Sequence, residues 1–195
     1  MAEVELPDPG ELQERRDRAF SLRVALVTAV YAVVLAIASL GGNNAMKEML
    51  LAQQEASNQW SYYQAKVIRE HLNRGNKLML EAQLAEPSAL GGAEREKFEA
   101  LARRFADEEK RMNVDKQEIE PKAKAAEAER DLNQAKDPYF DYAEVLLQIA
   151  IVCASVSILA ASRPMFWFSS SLAVLGALST INGFLLLVRI AFLHH

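Results

Sequence analysis

EVLLQIAIVCASVSILAASRPMFWFSSSLAVLGALSTINGFLLLV, Glu144 to Val188, holds two apolar runs separated only by Ser162, Arg163 and Pro164. Each run is close to the roughly 17–25 residues that cross a bilayer as a helix. A connection this short forces two adjacent helices to run antiparallel. Pro164 suits the first turn of the second helix, where a missing N–H leaves nothing unsatisfied. Tyr139, Phe140 and Tyr142 precede the first run, and Phe166, Trp167 and Phe168 open the second. Aromatics at such positions suit a membrane–water interface.

Moving outward, a third apolar run, VALVTAVYAVVLAIASL, lies near the N-terminus at Val24–Leu40 and carries no charge. Arg15, Arg16, Arg18 and Arg23 precede it, as in a signal peptide. The leader is long, however, and the run exceeds a typical signal core of about 7–15 residues, so an uncleaved anchor is expected. The chain therefore divides into a polar tail at 1–23, spans at 24–42, 142–161 and 165–188, and a polar insert at 43–141. Mean hydropathy of −0.04 hides this contrast between apolar ends and a charged middle. Net charge is −4, with no basic stripe for nucleic acid. The single cysteine, Cys153, excludes a disulfide framework or a thiolate metal site within one chain.

The insert is rich in Ala, Glu, Lys, Gln, Leu and Met, which are good helix formers, and has no alternating strand pattern. Its break is EPSALGGAE, Glu86–Glu94, which predicts a turn near 86–93. Two helical segments result, Asn44–Ala85 and Ala93–Lys136, of about 42 and 44 residues and about 60–65 Å each. A chain that leaves a membrane and re-enters it needs legs of matching length. The fold class expected is an all-α membrane protein: three transmembrane helices with a long extramembrane antiparallel helical hairpin between the first and second. Pro121 is expected to kink or break the return leg, and Pro138 to end it. That leg carries a seven-residue series, Phe98, Phe105, Met112, Ile119 and Ala126, a narrow coiled-coil-like stripe for docking on the outward leg.

The outward leg contains EASNQWSYYQAKVIREH, Glu55–His71. On a helix of 3.6 residues per turn, Glu55, Asn58, Gln59, Tyr62, Lys66, Arg69 and Asn73 share a polar face. Trp60, Tyr63 and Val67 form an aromatic ridge, which Met49 and Ala56 extend. Ser57, Ser61 and Ala65 lie four apart, with Ile68 and Leu72 continuing their side, and small residues so spaced permit close helix approach. Ridge and small face together exceed what one partner helix needs, which predicts contacts with the return leg and with another subunit. The packing residues are thus Ser57, Trp60, Ser61, Tyr63, Ala65, Val67 and Ile68. A straight continuation of the first span puts Trp60 about 30 Å beyond the membrane. Only a bend at Gly41–Asn44 turns Trp60 into an interface aromatic. A ligand cage of Trp60, Tyr63 and Gln64 is the third alternative.

The same segment resembles the hallmark of a bacterial membrane-protein family known as domain of unknown function 4337. Members show a run like EAS–x–x–W–x–x–YQAK–x–I after a first span, matched here by Glu55, Ala56, Ser57, Trp60, Tyr63, Gln64, Ala65, Lys66 and Ile68. The order of anchor, polar helical insert and closing pair of spans is also similar. The resemblance implies a prokaryotic integral membrane protein, and no activity or catalytic residue.

No nucleophile elbow, phosphate loop or zinc-protease spacing occurs, and His71, His194 and His195 join no constellation. Asp107, Glu108 and Glu109, followed by Lys110 and Arg111, fit a solvated helix face. No enzyme, cofactor or metal is expected. The intramembrane polar residues are Gln148, Ser179, Thr180 and Asn182. Such groups bond a partner helix or line a water-filled path. Arg15, Arg16, Arg18, Arg23 and Arg163 face Lys47, Arg130, Lys136 and Arg189 across the spans. The margin favours a cytoplasmic N-terminus and a periplasmic hairpin in a bacterial inner membrane. The function expected is a non-enzymatic, multi-pass, oligomeric scaffold or accessory subunit, assembled through its helical hairpin and its small-residue transmembrane faces. It contacts the lipid bilayer as a homo-oligomer or within a larger complex, and binds no nucleic acid. A pore lined by the polar residues of the third span is the alternative.

Overall fold

The computed structural model describes residues 9–86 and 91–188. They form three helices: α1 Pro9–Leu84, α2 Gly92–Leu159 and α3 Arg163–Leu185. No strand occurs among the described residues. Each helix contains a stretch long and apolar enough to cross a membrane. Pro87, Arg189, His194 and His195 lie outside the described residues, as does part of the expected turn.

One alternative falls and one expectation changes. α1 is one helix of 76 residues, so Gly41, Gly42, Asn43 and Asn44 make no bend. α2 is one helix of 68 residues, which passes through Pro121 and Pro138. Proline costs a helix interior about 3 kcal/mol because an N–H is lost and the ring crowds the preceding turn. Here Ile119, Ala123 and Ala126 are buried around Pro121, and Tyr139 and Phe140 follow Pro138 in the core. Packing of these neighbours offsets the local cost.

Both long helices bury a position every seven residues. In α1 these are Val24, Tyr31, Ala38, Ala45 and Ala52. In α2 the series of Met112, Ile119 and Ala126 continues through Asn133, Phe140, Leu147 and Ala154. A seven-residue recurrence keeps one seam on one partner over many turns.

The chain divides into two compact units, Met1–Glu48 with Leu132–His195, and Met49–Asp131. The first places small residues inside: Ala38, Ala143, Ala150, Ala154 and Ala173 cluster with Val24, Tyr31 and Leu147. Large apolar side chains such as Leu26, Val33, Ile149, Trp167 and Leu185 point outward. This arrangement suits lipid, where small residues let helices approach and large ones face the acyl chains.

Phe140, 1% exposed, is where the three helices of this unit meet. A Cβ on Gly183 of α3 would lie 2.9 Å from its ring, and one on Gly42 of α1 3.1 Å from its Cβ; Gly41 leaves no room for a Cβ against the same ring. Phe184 packs edge-on at 4.9 Å. Leu147 uses Gly176 the same way, 2.8 Å from a Cβ built there. Two hydrogen bonds add to this packing: Ser169 Oγ donates to Ala150 O at 2.6 Å, and Tyr31 OH donates to Ser170 Oγ at 2.8 Å.

In the second unit the segments of α1 and α2 pair antiparallel. Arg130 donates to Gln53, Trp60 to Glu127, Lys66 to Asp115 and Arg95 to the Leu84 carbonyl. Lys77 faces Glu109.

Gly183→Ala should destabilise the protein by about 1–3 kcal/mol through overpacking, although alanine is the better helix former. Thermal unfolding in detergent, followed by circular dichroism, measures this, and adding Phe140→Leu should recover part of the loss. Pro121→Ala, at an exposed position, should instead raise stability by up to about 3 kcal/mol.

Candidate functional site

The segment Glu55–His71 lies wholly within α1. Its packing residues split into two sets. Trp60, Tyr63 and Val67 are half-buried toward α2, whereas Ser57, Ser61, Ala65 and Ile68 are exposed. Trp60 packs edge-on against Tyr63, with centroids 5.5 Å apart, and its indole N–H donates to Glu127 Oε1 at 2.8 Å. The ridge is therefore an internal contact of the hairpin. The small face meets nothing within the protomer's second unit.

Lys66 departs from the polar face assigned to it. Its side chain is 9% exposed, and Nζ donates to Asp115 Oδ2 at 2.5 Å. The ammonium also lies 5.1 Å from the centroid of the Tyr62 ring. Glu70 pairs with Lys116, both less than one-fifth exposed, and Lys77 with Glu109 at 3.8 Å. Glu109 thus faces α1, while its neighbour Glu108 pairs along its own helix with Arg111. These cross-helix pairs form a ladder that discriminates register, since a slip would set like charges together. A signal for Lys66 is present in the sequence. Counting by sevens from Val24 through Ala52 leads to Gln59, Lys66 and Asn73, so the buried seam itself reaches the lysine. The partners Asp115, Lys116 and Glu127 carry no comparable local mark.

The hydrogen bond with Asp115 holds the Lys66 ammonium above its usual 10.5, against desolvation, which lowers it. The same bond holds Asp115 below the usual 3.8. Asp115 thus contributes stability at pH values above the usual carboxylate range, and this is lost as pH falls through its lowered value. Lys66 contributes below its usual value, and this is lost as pH rises through its raised one. In the exposed pair, Glu120 similarly raises Lys124 through a hydrogen bond.

The polar residues of the apolar stretches are placed differently from one another. Gln148 is exposed on α2. Thr180 is buried and donates to Gly176 O in its own helix at 2.9 Å, while Ser179 donates to Tyr139 O at 2.8 Å. Asn182 accepts from Val188 N at 2.9 Å and donates to Val188 O at 2.8 Å. That pair of bonds folds the chain back after Leu185, three residues before the apolar run ends. An apolar groove of about 570 Å³ opens here, lined by residues including Tyr142, Leu146, Leu178 and Leu187. Among the described residues no three His, Cys, Asp or Glu side chains converge as a metal site.

Residues 20–186 match the model of a family described as a domain of unknown function, DUF4337, and the chain belongs to this family. No curated protein and no solved structure matches the chain.

Hairpin stability should be level from about pH 5 to pH 9 and fall on either side, as read by the unfolding midpoint in detergent. Asp115→Ala strands a buried ammonium, so it should lower the midpoint several times more than Glu120→Ala, which breaks only an exposed pair.

Proposed function

We propose, from membership in that family as the premise, that the protein is a non-enzymatic integral membrane protein. It acts as an oligomeric scaffold or accessory subunit assembled through its helical hairpin. The spans fall at 24–42, 142–161 and 165–188 in a bacterial inner membrane. The N-terminus is cytoplasmic and the hairpin periplasmic. The observation that carries this reading is the uneven use of the hairpin's surface. One side of α1 is fully occupied by α2, with aromatic packing and a charge ladder. The adjoining side exposes Leu50, Ile68, Leu72 and Met79. Several large apolar side chains along one side of a helix outside the membrane suit a contact surface.

The small residues of the spans contribute in a different way from the one expected. Ala143, Ala150, Ala154, Ala173, Gly176 and Gly183 are consumed in packing within the protomer. Assembly through the hairpin therefore has more support than assembly through small intramembrane faces. A pore lined by Ser179, Thr180 and Asn182 draws less support, because all three side chains bond atoms of their own protomer.

The test is the mass of the complex extracted gently from its own membranes, by native mass spectrometry. Expected is a multiple of 21.7 kDa or a stoichiometric second protein. A lone protomer would overturn the proposal. Ion flux through purified protein in liposomes should not exceed that of empty vesicles, and sustained flux would replace the scaffold with the pore.

A further inference from the structure

We infer that α1 carries a self-association seam from Leu50 to Met79, which meets the same seam of a second copy of this chain in parallel. The inference rests on the membrane-anchored, oligomeric reading above and names the partner and its register.

Four large side chains mark the seam: Leu50 is 57% exposed, Ile68 67%, Leu72 61% and Met79 65%. Between them lie Ser57, Ser61 and Ala65, all exposed. With Gln54 and Gly75 the positions recur about every 3.6 residues, the period of a straight α-helix, so the line keeps to one side of α1 for eight turns. Ser61 Oγ donates to Ser57 O in its own helix at 2.8 Å, so that hydroxyl asks for no outside partner. A helix could approach this face closely.

Gly75 is an independent sign. Glycine weakens a helix interior relative to alanine and needs a reason. Gly41, Gly42, Gly176 and Gly183 each have one, since a Cβ there would press on Phe140 or Leu147. A Cβ on Gly75 would meet nothing within 4 Å. The protomer gives Gly75 no packing role, yet it lies on the seam, where a second helix would pass.

Three features select a second copy as the occupant. Copies anchored in one membrane through the same span present their α1 helices in the same direction. A two-fold axis along the membrane normal then sets each residue opposite itself. Like charges so placed would repel, and none of the nine seam positions is charged. The inward face of the same helix is the contrast: Lys66, Glu70 and Lys77 there match opposite charges on an antiparallel partner. The seam is also long, about 44 Å from Leu50 to Met79 at about 1.5 Å per residue, so two copies would share about eight turns of contact.

Single-cysteine cross-linking in native membranes tests the seam. In a Cys153→Ala background, Ser61→Cys and Gly75→Cys are oxidised mildly, with Glu81→Cys, exposed on another side of α1, as control. Two differently tagged copies identify a homodimer. Parallel self-facing helices bring these Cα pairs within disulfide reach, so both variants should give on the order of tenfold more homodimer than Glu81→Cys. Ala65→Cys, also on the seam, replaces Gly75→Cys if circular dichroism shows that helicity is lost. A native mass of two or more protomers with no cross-link above the control would overturn the seam and leave the scaffold standing. A cross-link from Ser61→Cys to a different protein would assign the face to that protein instead. A lone protomer with no cross-link would overturn the seam and the scaffold together.

Discussion

The seating of Phe140 is the constraint on which the membrane-like part of this protein depends. A ring held between backbones fixes both the distance and the register of the helices around it. Gly41 and Gly42 admit it from α1, Gly183 from α3, and Phe184 closes the remaining side. Any side chain at those glycines would have to displace the ring or part the helices. Leu147 against Gly176 repeats the device two turns along α2. For helices long and apolar enough to cross a membrane, where lipid would leave the hydrophobic effect no net drive to associate, such close contacts would supply the cohesion.

The hairpin solves a different problem by a different route. Two long helices of low apolar content need register more than they need adhesion. Here register is set by the paired Lys66–Asp115, Glu70–Lys116 and Lys77–Glu109, with Trp60 anchored to Glu127. Shielded ion pairs add little net stability because desolvation offsets their attraction, but a mispaired alternative strands charges and is costly. The seven-residue seam runs through both regimes of each long helix, so the same geometric rule serves an alanine-rich interior and a charged one.

The proposed function rests on what these two arrangements leave unused. The polar side chains of α3 are spent on backbone atoms of the same protomer. The aromatic ridge is spent on α2. What remains outward in the hairpin is a long, uncharged, partly apolar side of α1 with an unexplained glycine in it. That remainder suits the scaffold reading better than a pore or a ligand cage.

Much of the architecture was legible in the residues. Long uncharged runs mark the apolar stretches, and the EPSALGGAE break separates α1 from α2. The series from Phe98 to Ala126 locates the inner face of α2, and the segment at Glu55–His71 identifies the family. These signals are local, because hydropathy, helix propensity and periodicity are properties of neighbouring residues. The prolines misled in part: Pro121 reads as a kink or break and Pro138 as an end because their cost is local, whereas the packing that offsets it and keeps α2 continuous comes from elsewhere in the chain. Gly41 and Gly42 left a bend open as an alternative, and only the position of Phe140, far along the chain, shows them to be a socket. Lys66 looks like a solvated charge until Asp115 is brought beside it. Sequence alone determined where the helices lie and which family the chain belongs to. Tertiary structure decided which glycines are sockets, which charges are partners and which face is left open, because each depends on residues far apart in sequence meeting in space.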